Sequence, residues 1–233
     1  MLKVTDIHTY YGESHILQGV SLDVSEGQCV ALLGRNGAGK TTTLRSVLGL
    51  TPTRRGEISF NGTRISHLPT YRIVRLGISF VPEDRGIFPN VTVNEHLAMA
   101  YAAAKNRAGR KVASYAFEIF PRLGERQNSL GGQLSGGEQQ MLAVARALVA
   151  GPDLMILDEP SEGLAPVIIQ TLAEVLLSVK AAGIPILLVE QNFYLATRLA
   201  DFVYVLSQGR VQFSGRTQDL IQNEDVKKTY LSV

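Results

Sequence analysis

The sequence predicts one α/β domain over residues 1–233, with a mostly parallel β-sheet, an antiparallel β edge and an inserted helical lobe near residues 84–150. The apolar run Cys29–Leu33 is typical of a strand buried on both faces, and a glycine-rich turn and a helix follow it directly. After residue 137, predicted helices and strands alternate, which favours crossovers between parallel strands. Alanine-rich helical patterns between Val93 and Leu134 indicate the lobe.

The first third of the chain is rich in short β segments. The predicted elements are strands over Leu2–Thr9, Leu17–Val24 and Cys29–Leu33, a helix over Lys40–Leu50, a hairpin over Glu57–Ile65 and a strand over Ile78–Val81. The hairpin is expected because Asn61-Gly62 is a favoured two-residue turn.

After Val81 the sequence predicts a run of helices and then alternating strands and helices. The predicted elements are helices over Leu97–Ala104, Lys111–Phe120 and Gly137–Val149, then strand Leu154–Leu157, helix Val167–Ala181, strand Ile186–Val189, helix Phe193–Ala200 and strand Phe202–Leu206. In such folds ligands bind at the carboxyl ends of the strands, so functional residues are expected there.

Composition excludes several classes of function. A formal net charge of +2 gives no basic face for nucleic acid. The only cysteine, Cys29, is expected to be a buried thiol, which favours a reducing compartment. Neither an apolar stretch long enough to span a bilayer nor a signal peptide is found, so any membrane partner is expected to be another chain.

A phosphate-binding loop follows the Cys29–Leu33 strand. The pattern G-x-x-x-x-G-K-[ST] is matched by Gly34, Arg35, Asn36, Gly37, Ala38, Gly39, Lys40 and Thr41, with Thr42 next. Glycines let backbone N–H groups point inward, and the helix that begins here adds partial positive charge for phosphate. We expect Lys40 to reach the β and γ phosphates and Thr41 to offer its hydroxyl to Mg²⁺. A nucleoside triphosphate with Mg²⁺ is therefore the predicted ligand.

Two acids end the predicted strand over Leu154–Leu157. Asp158 is expected to join the Mg²⁺ shell, and Glu159 to polarise the attacking water as a general base. Acids in this place could alternatively cap a helix, since Asp is common at helix starts.

The segment Leu134-Ser135-Gly136-Gly137-Glu138-Gln139-Gln140 resembles the signature of ABC transporter ATPases. Its serine and paired glycines open a helix, which again offers N–H groups to an anion. The resemblance covers essentially the whole chain. It implies that Ser135, Gly136, Gly137 and Glu138 meet the γ-phosphate held by a second ATPase subunit, with two ATP molecules sandwiched in a head-to-tail dimer.

The resemblance also gives a role to an aromatic residue near the start of the chain. Tyr11 matches the side chain that stacks on adenine in this family. Tyr10 beside it, or a purely structural tyrosine, is the alternative.

Two departures from the usual family pattern narrow the resemblance. Glu83 stands where most members have a glutamine that senses Mg²⁺ and the permease, and Gln191 stands where most have a switch histidine. Gln191 can donate a hydrogen bond to a γ-phosphate but cannot titrate near neutral pH. With Gly86–Pro89 and Ser161–Pro166, these substitutions resemble an ATPase of branched-chain amino acid importers.

Such an importer implies several partners. They are a second ATPase subunit (identical or a sister chain), two transmembrane permeases and, through them, a periplasmic binding protein, with this chain at the cytoplasmic face of the inner membrane. Arg85, Phe88 and Pro89 lie where family members receive a short permease helix, or form a solvated loop. The Ser161–Pro166 segment could equally be a simple turn into the next helix.

Other kinds of site and other functions are the alternatives to this interpretation. His8, His15, His67 and His96 are scattered without metal-ligand spacing, and no nucleophile elbow supports a serine hydrolase. The competing functions are a soluble P-loop phosphotransferase, an ABC protein of DNA repair or translation, and an importer of urea, amides or other amino acids.

Overall fold

A computed structural model describes residues 1–104, 107 and 109–231. Residues 105, 106 and 108, which fall within the predicted lobe, and residues 232–233 lie outside this description. The strands are β1 (Leu2–Tyr11), β2 (Ser14–Val24), β3 (Cys29–Leu33), β4 (Thr53–Phe60), β5 (Thr63–Arg64), β6 (Ile78–Val81), β7 (Leu154–Asp158), β8 (Ile186–Glu190), β9 (Phe202–Ser207) and β10 (Arg210–Arg216).

Most of the helices follow β6 along the chain. They are α1 (Lys40–Val47), α2 (Thr70–Arg75), α3 (Val93–Ala103), α4 (Ala113–Ile119), α5 (Pro121–Glu125), α6 (Gly136–Val149), α7 (Pro166–Ala181), α8 (Phe193–Leu199), α9 (Thr217–Gln222) and α10 (Glu224–Val226). A 3₁₀ turn covers Gly131–Gln133, and a short π-helix covers Lys227–Leu231. None of the helices in the described part of the chain is long and apolar enough to cross a membrane.

Two sheets form the core. The larger has the order β10-β9-β3-β8-β7-β6, in which every pair is parallel except β10 with β9. The smaller has the order β2-β1-β4-β5 and is antiparallel. The predicted fold class, a mostly parallel sheet with an antiparallel edge and helices, is confirmed.

The larger sheet is covered on both faces because its central strands are apolar throughout. All five residues of β3 are buried. Cys29, Ala31 and Leu33 pack on the side of α6, α7 and α8, whereas Val30 and Leu32 pack on the side of the smaller sheet and α1. The Cys29 thiol is fully buried, as expected, and burial raises its pKa to about 12.

Several elements differ from the sequence prediction. Strand β10 and helices α2, α5, α9 and α10 were missed. The segments of these four helices are each six residues or fewer, too short for a helical period to stand out. Helix α3 begins at Val93 rather than residue 97, because Thr92 and Glu95 form a capping box. The hairpin turn was correct: Asn61 and Gly62 have φ of 49° and 76°.

The histidines are less scattered than expected. His8 and His15 face each other across β1 and β2, with His8 Nδ1 and His15 Nε2 3.0 Å apart. His96 is buried, and its Nε2 accepts from the Phe88 N–H at 3.0 Å, so its Nδ1 carries the proton and donates to the Thr92 carbonyl. Among the described residues no three His, Cys, Asp or Glu side chains form a metal-binding group.

Candidate functional site

The phosphate-binding loop connects β3 to α1. Gly39 precedes the helix in the left-handed region, at φ 109°, and a Cβ at Gly34 would collide with the Leu206 carbonyl. These two positions therefore require glycine. No side chain caps the first turn of α1, and that turn has no acidic residue. The N–H groups at this helix end are thus left for an anion.

Lys40 is held inside this loop by the chain itself. Its Nζ donates to the Gly34 carbonyl at 2.8 Å and the Arg35 carbonyl at 3.1 Å, and it pairs with Glu159 Oε1 at 3.1 Å. Both side chains of this ion pair are at least nine-tenths buried. A phosphate that bound in the loop would compete with Glu159 for the lysine.

Several side-chain oxygens that could bind a cation lie near Lys40. The Thr41 hydroxyl donates to Asp158 Oδ1 at 3.3 Å, and Glu83 lines the same cavity as both residues. Burial, reinforced by the carboxylates of Glu159 and Glu83, raises the pKa of Asp158 to about 6. Such a crowd of carboxylate and hydroxyl oxygens fits Mg²⁺, which usually takes one or two protein carboxylates together with substrate phosphates.

Glu159 has a strained backbone. Its φ is 44°, a region that non-glycine residues occupy only where the surrounding structure holds them, at a cost of about 1–3 kcal/mol. Gln191 Nε2 donates to Glu159 Oε2 at 3.1 Å and also to Asn36 Oδ1. The predicted base, the predicted switch residue and the phosphate loop are therefore in direct contact.

The two adjacent tyrosines differ in their surroundings. Tyr11 is 45% exposed and lines, with Gly37, Lys40 and Thr42, a cavity of about 400 Å³. Tyr10 instead stacks on His15, with ring centroids 4.2 Å apart, and lies under the Arg54 guanidinium. Of the two tyrosines, Tyr11 is the one that lines the cavity beside the phosphate loop.

The signature segment lies at the start of α6. The Ser135 hydroxyl accepts from the Glu138 N–H at 3.3 Å, and Glu138 Oε2 accepts from the Ser135 N–H at 2.9 Å, a capping box. Residues 135–138 are not among the described residues that line the Lys40 cavity. The structure thus brings together every predicted site residue except those of the signature, which face solvent or are partly exposed.

The loop that follows β6 contains Glu83 and is called here the Glu83 loop. Hydrogen bonds from two arginines connect it to α6, the helix that begins with the signature. Arg85, at φ 66°, donates to Gln139 Oε1 at 3.3 Å, and Arg146 of α6 donates to the Gly86 carbonyl. Beside this loop lies a groove of about 330 Å³ between α3, α6 and β6. Phe88 and Met99 line it and are about half exposed. A ligand in this groove would contact both the Glu83 loop and the helix that begins with the signature.

Two site residues were missed from the sequence. Glu162 lines the cavities around Lys40 and Asp158, and burial together with Glu159 raises its pKa. Glu190, only 2% exposed, ends β8 beside Gln191. An acid directly after an apolar strand, as at Asp158, was the signal that could have found Glu190.

Comparison with known proteins gives consistent matches. A family model described as "ABC transporter" matches residues 17–162, more than half of the chain. The chain is 42% identical over 231 residues to the high-affinity branched-chain amino acid transport ATP-binding protein BraG of Pseudomonas aeruginosa, covering 99% of each. It is 31% identical to the lipopolysaccharide export system ATP-binding protein LptB of Escherichia coli, covering 99% of this chain and 96% of LptB.

A solved structure described as the ATP binding subunit of an ABC transporter has the same fold. The TM-score is 0.83 at 33% identity, covering 100% of this chain and 96% of the other.

Proposed function

Because the chain belongs to the ABC transporter family, in which it is an ATP-binding subunit with ATPase activity coupled to transport, we propose that it energises an importer of branched-chain or related amino acids. The observation that carries the cargo proposal is the 42% identity to BraG over nearly the full length of both chains, against 31% to LptB. Glu83 and Gln191, which replace the usual family residues, support the same choice.

Lys40 and the loop before it bind the triphosphate. The Lys40 ammonium is already desolvated and aimed into the loop by two carbonyls, so little reorganisation is needed when phosphate arrives. Phosphate takes the place of Glu159 at Lys40. The released Glu159 carboxylate accepts a proton from the attacking water as the water oxygen bonds to the γ-phosphorus, and the bond from that phosphorus to the β–γ bridging oxygen breaks, so that ADP leaves. Gln191, 3.1 Å from Glu159, orients that water and the γ-phosphate.

Thr41, Asp158 and Glu83 would hold Mg²⁺. The ion would neutralise charge on the phosphate oxygens. Burial raises the pKa of Asp158, and the carboxylates of Glu159 and Glu83 add to this effect; a divalent cation would offset that repulsion.

Ser135 and the first turn of α6 complete the site from a second ATPase subunit. Support comes from their exposure and from their absence among the described residues that line the chain's own Lys40 cavity. The second subunit is an identical or sister chain, and Tyr11 stacks on the adenine.

The groove beside Phe88 receives a permease helix. The permease helix in this groove contacts the Glu83 loop, and Arg85 and Arg146 connect that loop to α6. The partners are two transmembrane permeases and, through them, a periplasmic binding protein. The chain lies on the cytoplasmic face of the inner membrane.

Glu159→Gln tests the catalytic assignment. The amide keeps the shape of the side chain but is not a base, so kcat falls by about 10²–10⁴-fold while ATP stays bound. The measurement is ATP turnover beside equilibrium nucleotide binding. Hydrolysis at the wild-type rate would remove Glu159 from the role of base.

Reconstitution in proteoliposomes with the permeases and binding protein tests the cargo. Leucine uptake that depends on ATP and stops with Glu159→Gln supports the proposal. Uptake of urea or amides without leucine, or of no amino acid, contradicts it.

A soluble phosphotransferase would be indifferent to changes at Ser135.

A further inference from the structure

Glu190 is a buried acid to which the proposed mechanism gives no task. It is the last residue of β8 and is 2% exposed. In the described part of the chain no Lys, Arg or His forms a salt bridge with it. A carboxylate in such a place needs other compensation, because burial without partners strongly disfavours the charged form.

The compensation comes from three backbone N–H groups. Glu190 Oε1 accepts from Ser161 at 3.0 Å, and Oε2 accepts from Gln191 at 3.0 Å and Asn192 at 2.9 Å. Burial raises the pKa of Glu190, and the bonds from Ser161 and Asn192 partly offset that effect. The two carboxylate oxygens thus accept hydrogen bonds from different segments. Oε1 accepts from the loop after β7, and Oε2 accepts from the loop after β8.

The first of these segments contains the strained residue Glu159. Its own N–H donates to the Val189 carbonyl at 2.9 Å, and the N–H of Ser161, two residues later, donates to Glu190. The positive φ of Glu159 is therefore held between two hydrogen bonds to consecutive residues at the end of β8. Strain of this kind persists only when neighbouring contacts hold the backbone in place.

The second segment carries Gln191, whose side chain meets Glu159 at 3.1 Å. We infer that Glu190 is a positioning residue for ATP hydrolysis. Its carboxylate connects the backbone after Glu159 to the backbone of Gln191, and these hydrogen bonds hold the Glu159 and Gln191 side chains in contact. This inference rests on the role proposed for Glu159.

Glu190→Gln tests the bridge with almost no change in volume. The amide nitrogen cannot accept a hydrogen bond, so one of the two segments loses its partner. We expect kcat to fall about 10- to 100-fold, since a small misplacement of reacting groups is costly, while the Kd for ATP stays within about twofold. The measurement is steady-state turnover of the full chain with Mg·ATP, beside equilibrium nucleotide binding.

Ser66→Ala is the matched control. The Ser66 hydroxyl is buried and accepts from the Ile58 N–H at 2.8 Å, outside the site, so its loss also deprives a buried N–H of its acceptor. This variant should lower the melting temperature and leave kcat unchanged. Glu190→Asp, which keeps both acceptor oxygens on a shorter side chain, is measured in the same way and should also lower kcat at unchanged ATP affinity.

The outcomes separate this inference from the proposed function. If Glu159→Gln stops turnover while both Glu190 variants keep the kcat of the Ser66→Ala control, the positioning role is wrong and the catalytic assignment stands. If Glu159→Gln hydrolyses ATP at the wild-type rate, the assignment of Glu159 as the base is wrong, whatever the Glu190 variants show. A lower kcat in the Glu190 variants, with no further loss when Glu190→Gln is added to Glu159→Gln, supports the bridge.

Discussion

Two helix N-termini in this molecule are suited to phosphate, and the chain treats them differently. Helix α1 begins after Gly39 with no side-chain cap, so its N–H groups are left for a ligand. Helix α6 begins with the Ser135–Glu138 capping box, so part of its donors are already satisfied within the chain. Lys40 at the first is buried, whereas Ser135 at the second is exposed.

The difference indicates two steps of binding. The Lys40 end is preorganised and needs only to exchange Glu159 for phosphate. The Ser135 end is capped within its own chain, and in the proposed dimer its serine would have to reorient toward a phosphate held by another subunit. Nucleotide binding should therefore depend on the first end, and hydrolysis on both.

Lys40→Met should have the largest effect. It removes the cation at the preorganised end, so ATP binding is lost and turnover falls by at least about 10²–10³-fold. It also leaves Glu159 as an unpaired buried carboxylate, which lowers the free energy of unfolding. Adding Glu159→Gln should restore part of the stability and none of the binding. Lys180→Met, which removes a lysine that pairs with Asp201 outside the site, is the control and should bind ATP normally in a fluorescent-nucleotide assay.

Ser135→Ala should come next. Turnover of the dimer falls about 10- to 100-fold as a phosphate donor is lost, while ATP binding to the single chain is unchanged. The cap contributes about 1 kcal/mol to stability, so the melting temperature also falls. Thr92→Ala removes the same capping box from α3 and should reproduce the stability loss alone. Equal turnover in the two variants would refute the contrast between the helix ends.

Gln191→His sharpens the comparison at the Lys40 end. The wild-type residue cannot titrate, whereas a histidine in contact with Glu159 introduces an ionisation between about pH 5 and 8. The kcat profile of the variant should therefore show a bend in this range in addition to any that Asp158, whose pKa is raised to about 6, gives in both proteins. Superimposable profiles would show that residue 191 does not act on the hydrolytic step.

Glu138→Gln should have the smallest effect, on the order of 1 kcal/mol of stability. The Ser135 N–H lowers the pKa of Glu138, and a lowered pKa means that the unfolded chain binds the proton more readily. This stabilisation is complete above about pH 5 and is lost as the pH falls further. Thermal melts from pH 7 to 3 should show a shallower acid decline in the variant, and an unchanged slope would contradict this.

The sequence predicts contiguous features well and contacts between distant segments poorly. The phosphate loop, the Asp158 strand and the signature were found because each motif is continuous and lies in a clear strand or helix context. Strand β10 was missed, and so were the pairing of Lys40 with Glu159 and the three-way role of Glu190. The contacts of Lys40 and Glu190 depend on β3, β7 and β8 being neighbours in register, with Asp158 opposite Val189 and Glu190 opposite Leu33, whereas β10 pairs with β9. No local pattern encodes that register.

The central claim is that Ser135 of one subunit completes the phosphate site of another, and cysteine cross-linking tests it directly. The native Cys29 is buried with a pKa of about 12, so introduced thiols would react alone. Arg35→Cys on one chain and Ser135→Cys on another, in a Glu159→Gln background, are mixed as identical chains and with a sister ATPase. A covalent dimer that needs Mg·ATP and disappears with Lys40→Met is the predicted result. No cross-link in either pairing would contradict the account.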